Sequence, residues 1–351
     1  MGKTMRLLVA GGAGYVGSVL IPKLLDRGYK VDVVDLFWFG NHLPPQVGIL
    51  NKDIFHLSVE DLEPYDQVIF LAGLSNDPMA EFSPSKNFIF NAAAPAYLAY
   101  TAKKAKVKRY IYASSCSVYG YTENELYDET RPVSSHYAYG ISKLQGEQAA
   151  ARLADKGFSV IALRKGTVCG YSPRMRFDLV INTMFKSVVK QHMITVNNPS
   201  IWRPVLSIED AATAYIRAIE ANYKLSGIFN VASGNYTVGE IADLVRLAVE
   251  ERLGIRVNLQ IKHIQDFRNY KVSTLKASNV LSFHPTGDVK SIVGSLIDNM
   301  DKFQDWENPL YSNIQSFKNL ETAGDNHSLM RAYSAQQLSQ IPEGQESSLG
   351  D

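Results

Sequence analysis

Leu7-Leu8-Val9-Ala10-Gly11-Gly12-Ala13-Gly14-Tyr15-Val16-Gly17 is the stretch that decides the fold. Four apolar residues in a row read as a strand buried on both faces. The glycines behind them stand at G-x-x-G-x-x-G spacing, at the point where a strand turns into a helix. Gly11 permits the tight turn, Gly14 lets the backbone approach a pyrophosphate, and Gly17 allows helix and strand to pack closely. The helix start then offers unpaired N–H groups and a positive dipole end to phosphates, with Tyr15 and Val16 beside them. Asp35 closes the next apolar run, Val31-Asp32-Val33-Val34, about 20 residues on. An acid there accepts hydrogen bonds from a ribose diol and repels a 2′-phosphate. No arginine follows within reach, so NAD is expected rather than NADP.

Outward from this loop the pattern repeats. Val68-Ile69-Phe70-Leu71, Tyr110-Ile111-Tyr112-Ala113 and Val160-Ile161-Ala162-Leu163 read as further buried strands, with helical stretches at 16–27, 91–104 and 139–155. This alternation predicts an α/β fold, a Rossmann-type doubly wound parallel sheet over residues 1–170. Residues 171–311 read as a smaller α/β substrate lobe, with helices at 177–190, 207–221 and 238–252. Thr237 is a candidate cap, and 211–219 is a segment able to return to the sheet. From 312 to 351 Asn, Gln, Ser, Gly and Glu dominate, which predicts a polar C-terminal tail.

Of the 351 residues 46% are apolar and 20% charged, ordinary for a globular chain with a sizeable core, and the formal net charge is +1. That balance gives no sign of nucleic-acid binding. No apolar run is long enough for a membrane span, and the glycines interrupt the only stretch that imitates a targeting segment. Cys116 and Cys169 are too few for a disulfide framework, so the cytoplasm is the expected compartment. None of the seven histidines stands at H-x-x-x-H or H-E-x-x-H spacing, and no metal is expected.

Tyr-x-x-x-Lys occurs twice, at Tyr100/Lys104 and Tyr139/Lys143, each pair on one face of a helix. Only the second follows Ser114-Ser115-Cys116-Ser117, which supplies hydroxyls at the carboxyl end of a strand. A tyrosine there can move a hydroxyl proton while hydride passes to or from nicotinamide. Its pKa has to fall from near 10, which a neighbouring lysine ammonium would favour. Ser115, Tyr139 and Lys143 are therefore the candidate catalytic group, and Tyr100/Lys104 reads as helix surface.

With these residues in place, the chain resembles the extended short-chain dehydrogenase/reductases that act on nucleotide sugars, the group of UDP-galactose 4-epimerase and the sugar-nucleotide dehydratases. The match runs from Arg6 to about Pro285. It includes the glycine loop, Asp35, Asp53-Ile54, Leu71-Ala72-Gly73, Asn91, Ser114 to Gly120, Tyr139/Lys143 and Trp202-Arg203-Pro204. The resemblance implies that Asp53 and Ile54 flank the adenine, that Leu71, Ala72 and Gly73 line cofactor phosphate and ribose, and that Asn91, Tyr139 and Lys143 belong to the cofactor site. It also implies a nucleotide-diphosphate sugar as partner and a homodimer. Ser117, Thr167, Arg174, Arg176, Arg203 and Arg268 are the candidate substrate residues, the arginines as grips for a diphosphate or an acidic sugar.

Two departures narrow the reaction. The acidic pair that follows the catalytic hydroxyl in the family's 4,6-dehydratases is replaced by Cys116 and Ser117, which removes the proton donor for dehydration. Arg164-Lys165-Gly166-Thr167 replaces the usual Arg-Tyr-Phe-Asn. The expectation is an NAD-dependent epimerase acting at sugar carbon 4 through a transient ketone. The alternatives are a dehydrogenase or 4-keto reductase using the same residues, and a non-catalytic nucleotide-sugar binder.

Overall fold

The computed structural model describes residues 4–50, 52–263 and 268–322. Seven parallel strands form the central sheet. From one edge to the other they run Gly227–Val231, Ser159–Lys165, Arg109–Ser115, Gln67–Phe70, Arg6–Ala10, Lys30–Val34 and Gly48–Leu50. The strand order reverses direction between Arg6–Ala10 and Gln67–Phe70, and the crevice outside the strand ends at such a switch point is where a ligand has room. All five apolar runs found in the sequence are strands of this sheet. Their β-branched and aromatic side chains are buried on both faces.

Helix Gly17–Asp26 and helix Ile208–Glu220 cover one face, sharing a core with Leu7, Val9, Ile111 and Ile161. Helix Ala94–Lys104 covers the other, over Leu8, Phe70, Tyr112 and Val160. Ala211 through Ile219 thus return to the sheet as the sequence suggested. Two of the expected helices begin late. Residues Ile89–Ala93 form a wide π turn ahead of Ala94, and the helix expected from 177 starts at Val180.

The smaller lobe has its own core, built by helices Val180–Gln191, Val238–Leu253 and Val289–Asp298. Thr237 does cap its helix, its hydroxyl accepting from Glu240 N while the Glu240 carboxylate accepts from Thr237 N, so two end donors are satisfied at once. Three short strands, Thr167–Cys169, Trp202–Ser207 and Gly234–Thr237, carry the chain between sheet and lobe. The polar stretch read as a tail from 312 begins with a helix, Asn313–Thr322; residues 323–351 lie outside the described residues. Among the described residues no helix is long and apolar enough to cross a membrane, and no cluster of acidic, His or Cys side chains could hold a metal.

Candidate active site

At the switch point the loops open into a cleft of about 680 Å³. Its floor is the glycine loop. Gly11 has φ +79°, and a Cβ there would lie 2.4 Å from the backbone nitrogen of Ala72. At Gly17 a Cβ would strike the carbonyl oxygen of Gly12 at 2.1 Å. Both glycines are therefore required by close approach of backbone to backbone, and they hold helix Gly17–Asp26 with its N-terminus at the cleft. Asp35, just past its strand, accepts from Ala13 N at 2.9 Å and Phe37 N at 2.8 Å. Burial raises its carboxyl above the ordinary value, opposed by these backbone bonds. The acid thus ties down the glycine loop as well as facing the cleft.

Gly14, Tyr15, Val16, Asp53, Ile54, Leu71, Ala72 and Gly73 all line the same cleft. Asn91 does not. It is fully buried behind Gly73, its amide donating to the carbonyl of Leu74 at 2.8 Å and to Asn87. A Cβ on Gly73 would strike its Oδ1, so Asn91 shapes the loop from below. A floor of glycines, a helix start and an acid at the ribose position fit a dinucleotide, and NAD is the group these residues would hold.

Further along the cleft, Ser115 and Tyr139 face each other across the ends of strand Arg109–Ser115 and helix Ala138–Ala151. A row of hydroxyls leads away from them. Ser115 Oγ bonds Ser117 Oγ at 3.1 Å, and Ser117 Oγ lies 3.3 Å from the Tyr270 hydroxyl. Lys143 sits one turn below Tyr139, 4% exposed, its Nζ 4.7 Å from the centre of the Tyr112 ring. The expected lowering of the tyrosine pKa is not what the chain by itself produces. Burial pushes the Tyr139 phenol up to about 12, and the hydrogen bond from Ser115 and the charge of Arg176 only partly oppose it. Lys143 is itself pushed well down, by burial first and by the nearby Lys165 ammonium second. A lysine so reluctant to be charged is a weak source of phenolate stabilisation. Tyr100 and Lys104 stand elsewhere, Tyr100 53% exposed and Lys104 over its ring.

The expected substrate residues divide by what already holds them. Thr167 lines the cleft. Arg176 is locked to Asp178 by two bonds of 2.8 and 2.9 Å, which leaves its charge largely matched. Arg174 stacks on the Phe39 ring at 3.8 Å and donates to Asn313, while its Nε is buried without a partner. Arg203 donates to the backbone of Trp202 and Arg268, and lies 5.6 Å from the Tyr270 ring. Arg268 pairs with Asp77 at 2.5 Å.

The sequence reading passed over Asp77, Asp178, Asn313 and Tyr270. Asp178 and Tyr270 had a signal, since they stand two residues after Arg176 and Arg268; Asp77 and Asn313 come from distant segments with no local pattern. Cys116 turns away from the cleft, fully buried with its Sγ 3.1 Å from the Arg164 carbonyl, and Ser117 follows it. No carboxyl group takes the place of an acidic pair in this loop.

The model of the NAD dependent epimerase/dehydratase family matches residues 7–232. The chain is 26% identical over 262 residues to the UDP-glucose 4-epimerase of Corynebacterium glutamicum, covering 69% of this chain and 80% of that one. It is 24% identical over 302 residues to UDP-glucuronic acid decarboxylase 1 of Arabidopsis thaliana, covering 81% and 67%. Among solved structures, a UDP-glucuronic acid 4-epimerase from Bacillus cereus, in complex with UDP-glucuronic acid and NAD, superposes with a TM-score of 0.74. The likeness covers 85% of this chain and 99% of that one at 22% identity, and speaks for the shared fold.

Proposed function

Because the chain belongs to the NAD dependent epimerase/dehydratase family, we propose that it is an epimerase of nucleoside-diphosphate sugars, inverting the hydroxyl at sugar carbon 4. One observation carries the reading: Ser115 and Tyr139 open onto the same cleft whose floor is the glycine loop and whose far wall carries Arg203 and Arg268. Cofactor, reacting hydroxyl and diphosphate would then share one space. NAD supplies a reversible two-electron acceptor when bound. Tyr139, as the phenolate that the positive charge of bound NAD would favour, takes the proton of the sugar hydroxyl and later returns it, and Ser115 fixes that hydroxyl by a hydrogen bond. Lys143, one turn along the same helix, would hold the nicotinamide ribose once NAD is bound. Arg203 and Arg268 grip the diphosphate, leaving the sugar able to present either face. The related decarboxylase is compatible with the same oxidation step. The hydroxyl-bearing loop around Cys116 favours epimerisation over dehydration, because it offers no acid to expel water.

The reading also puts the chain in the cytoplasm as a homodimer; cell fractionation would check the compartment and sedimentation of the purified protein the dimer. Its central test is incubation with UDP-, GDP-, CDP- and dTDP-sugars while absorbance is followed at the reduced-nicotinamide band. An epimerised product with no net absorbance change supports the proposal. A stoichiometric change replaces it with dehydrogenase or reductase chemistry, and binding without product replaces it with a non-catalytic binder. Arg203→Ala should raise the Michaelis constant for the sugar nucleotide about 10-fold or more, the scale of one lost charge-assisted contact, and leave NAD affinity nearly as it was.

A further inference from the structure

Lys165 stands where the resembled family carries a tyrosine, and the catalytic assignments above leave it without a task. It is the register partner of Ser115 on the adjacent parallel strand, so the two side chains leave the sheet on the same side. Both open onto the cleft. Below Lys165 lies an aromatic floor, with its Nζ 5.9 Å from the Tyr215 ring centre.

Its surroundings are cationic. Arg176 is the charged group that acts on it, and Lys165 in turn acts on the buried Lys143, while Lys165 itself stands half-buried in the cleft wall. Burial, with Arg176 behind it, pushes the Lys165 ammonium down to about 8. The nearby carboxylates are already committed elsewhere. Asp178 is held by both arms of Arg176, Asp77 by Arg268, and Glu147 by Arg164. Lys165 makes no ion pair among the described residues. A half-buried ammonium beside the Arg176 guanidinium, with no carboxylate of its own, costs free energy that a hydroxyl group cannot offset, because a hydroxyl brings no charge. The opposite charge has to arrive with the ligand.

We propose that Lys165 receives the carboxylate of a hexuronic acid, making the substrate of this cleft a nucleoside-diphosphate hexuronate rather than a neutral hexose. The proposal rests on the nucleotide-sugar reading above. The geometry suits it: in a hexuronate the carboxylate is borne by the carbon next to carbon 4. A residue beside Ser115 is placed to meet a substituent next to the reacting carbon. An aminosugar bearing a free ammonium is disfavoured by Lys165 and Arg176.

The test is calorimetric titration of the full chain loaded with NAD, using UDP-glucuronate against UDP-glucose, and GDP-mannuronate against GDP-mannose. Free UDP and GDP are titrated alongside. For the nucleotide that binds, the uronate should bind about 10-fold or more tightly than the neutral hexose, as one charge-assisted pair predicts. Lys165→Met should bring that ratio to within about 2-fold of unity, and Lys165→Arg should keep most of it. Equal affinity of the unaltered chain for both sugars overturns the proposal while sparing the nucleotide-sugar reading. So does a preference that survives in Lys165→Met; if that variant does not fold, Lys165→Gln replaces it. A parallel loss of affinity for free UDP or GDP would make Lys165 a diphosphate contact and also overturn it. If no nucleotide, free or sugar-linked, binds at all, the nucleotide-sugar reading fails and this one with it.

Discussion

Tyr139 opens onto the cleft beside Ser115, and the neighbouring Ser117 hydroxyl is a far weaker acid than a phenol. Tyr139→Phe should therefore cut turnover by at least about 10²-fold, the scale of a positioned acid–base group, while titration of the cofactor stays nearly unchanged. Tyr100→Phe, at an exposed ring, should leave turnover within error; the reverse result would transfer the assignment to the other pair. Asp35 gives a second check at this scale. The unaltered chain should bind NAD more tightly than NADP, because a carboxylate beside the ribose repels a 2′-phosphate. Asp35→Ala should narrow that gap and weaken both cofactors, since the same carboxylate holds Ala13 N and Phe37 N. Comparative fluorescence titration reads both effects. Gly11, Gly17, Asp35, Ser115 and Tyr139 were legible in the sequence because each obeys a local rule of spacing around one strand end. Arg174 and Arg176 were only half legible. The sequence gives their proximity to a helix start. It does not say that Asp178 matches one charge or that Phe39 and Asn313 receive the other.

Secondary-structure elements are anchored here by buried charge. Glu147, on helix Ala138–Ala151, accepts two bonds from Arg164 at 2.7 and 2.9 Å and one from Ser114 Oγ at 2.6 Å, with both charged side chains almost wholly buried. This cluster pins the helix that bears Tyr139 to the strands that bear Ser115 and Lys165. Glu147→Ala should destabilise the fold by about 3–5 kcal/mol, because it strands the guanidinium in the interior. A lowered denaturant midpoint would show it, and Arg164→Met added to Glu147→Ala should recover part of the loss. Arg109 plays a comparable part for helix Ile208–Glu220, donating to the carbonyls of Ala218, Ile219, Ala221 and Asn222 at its C-terminal end. Strands and the Thr237 cap were readable because runs of β-branched residues and a Thr-x-x-Glu box are local signals. Gly227–Val231 was not, since Asn230 interrupts its apolar run and its partner lies far back in the chain. Asn230 is accommodated because its side chain accepts from the Tyr119 hydroxyl.

For the molecule as a whole, alkaline stability follows from the buried phenols. Burial raises Tyr15, Tyr110, Tyr112, Tyr119 and Tyr215 well above 10, and Tyr139 to about 12. Between about pH 10 and 12 the unfolded chain releases these protons while the folded chain keeps them, so stability falls as pH rises through that window. Lys143, Lys165, Arg109 and Arg174 work in the opposite sense, favouring the fold as pH climbs toward their ordinary values, but they are four groups against these six phenols. The melting temperature should hold up to about pH 10 and then drop steeply, with tyrosinate absorbance rising together with loss of secondary structure. A melting temperature that stayed flat through pH 12 would contradict the burial of these rings. The placement of strand Gly227–Val231 at the sheet edge also has a consequence for synthesis on the ribosome. Ser159–Lys165 is made well before the strand that covers it, with the chain leaving for the smaller lobe in between. At about 5–20 residues per second, roughly sixty intervening residues keep that apolar edge uncovered for several seconds. In that interval the nascent chain presents Val160-Ile161-Ala162-Leu163 to its neighbours, and crowded polysomes or slow codons within the lobe would lengthen the exposure. The yield of folded protein is thus set in part by how quickly the ribosome crosses the lobe.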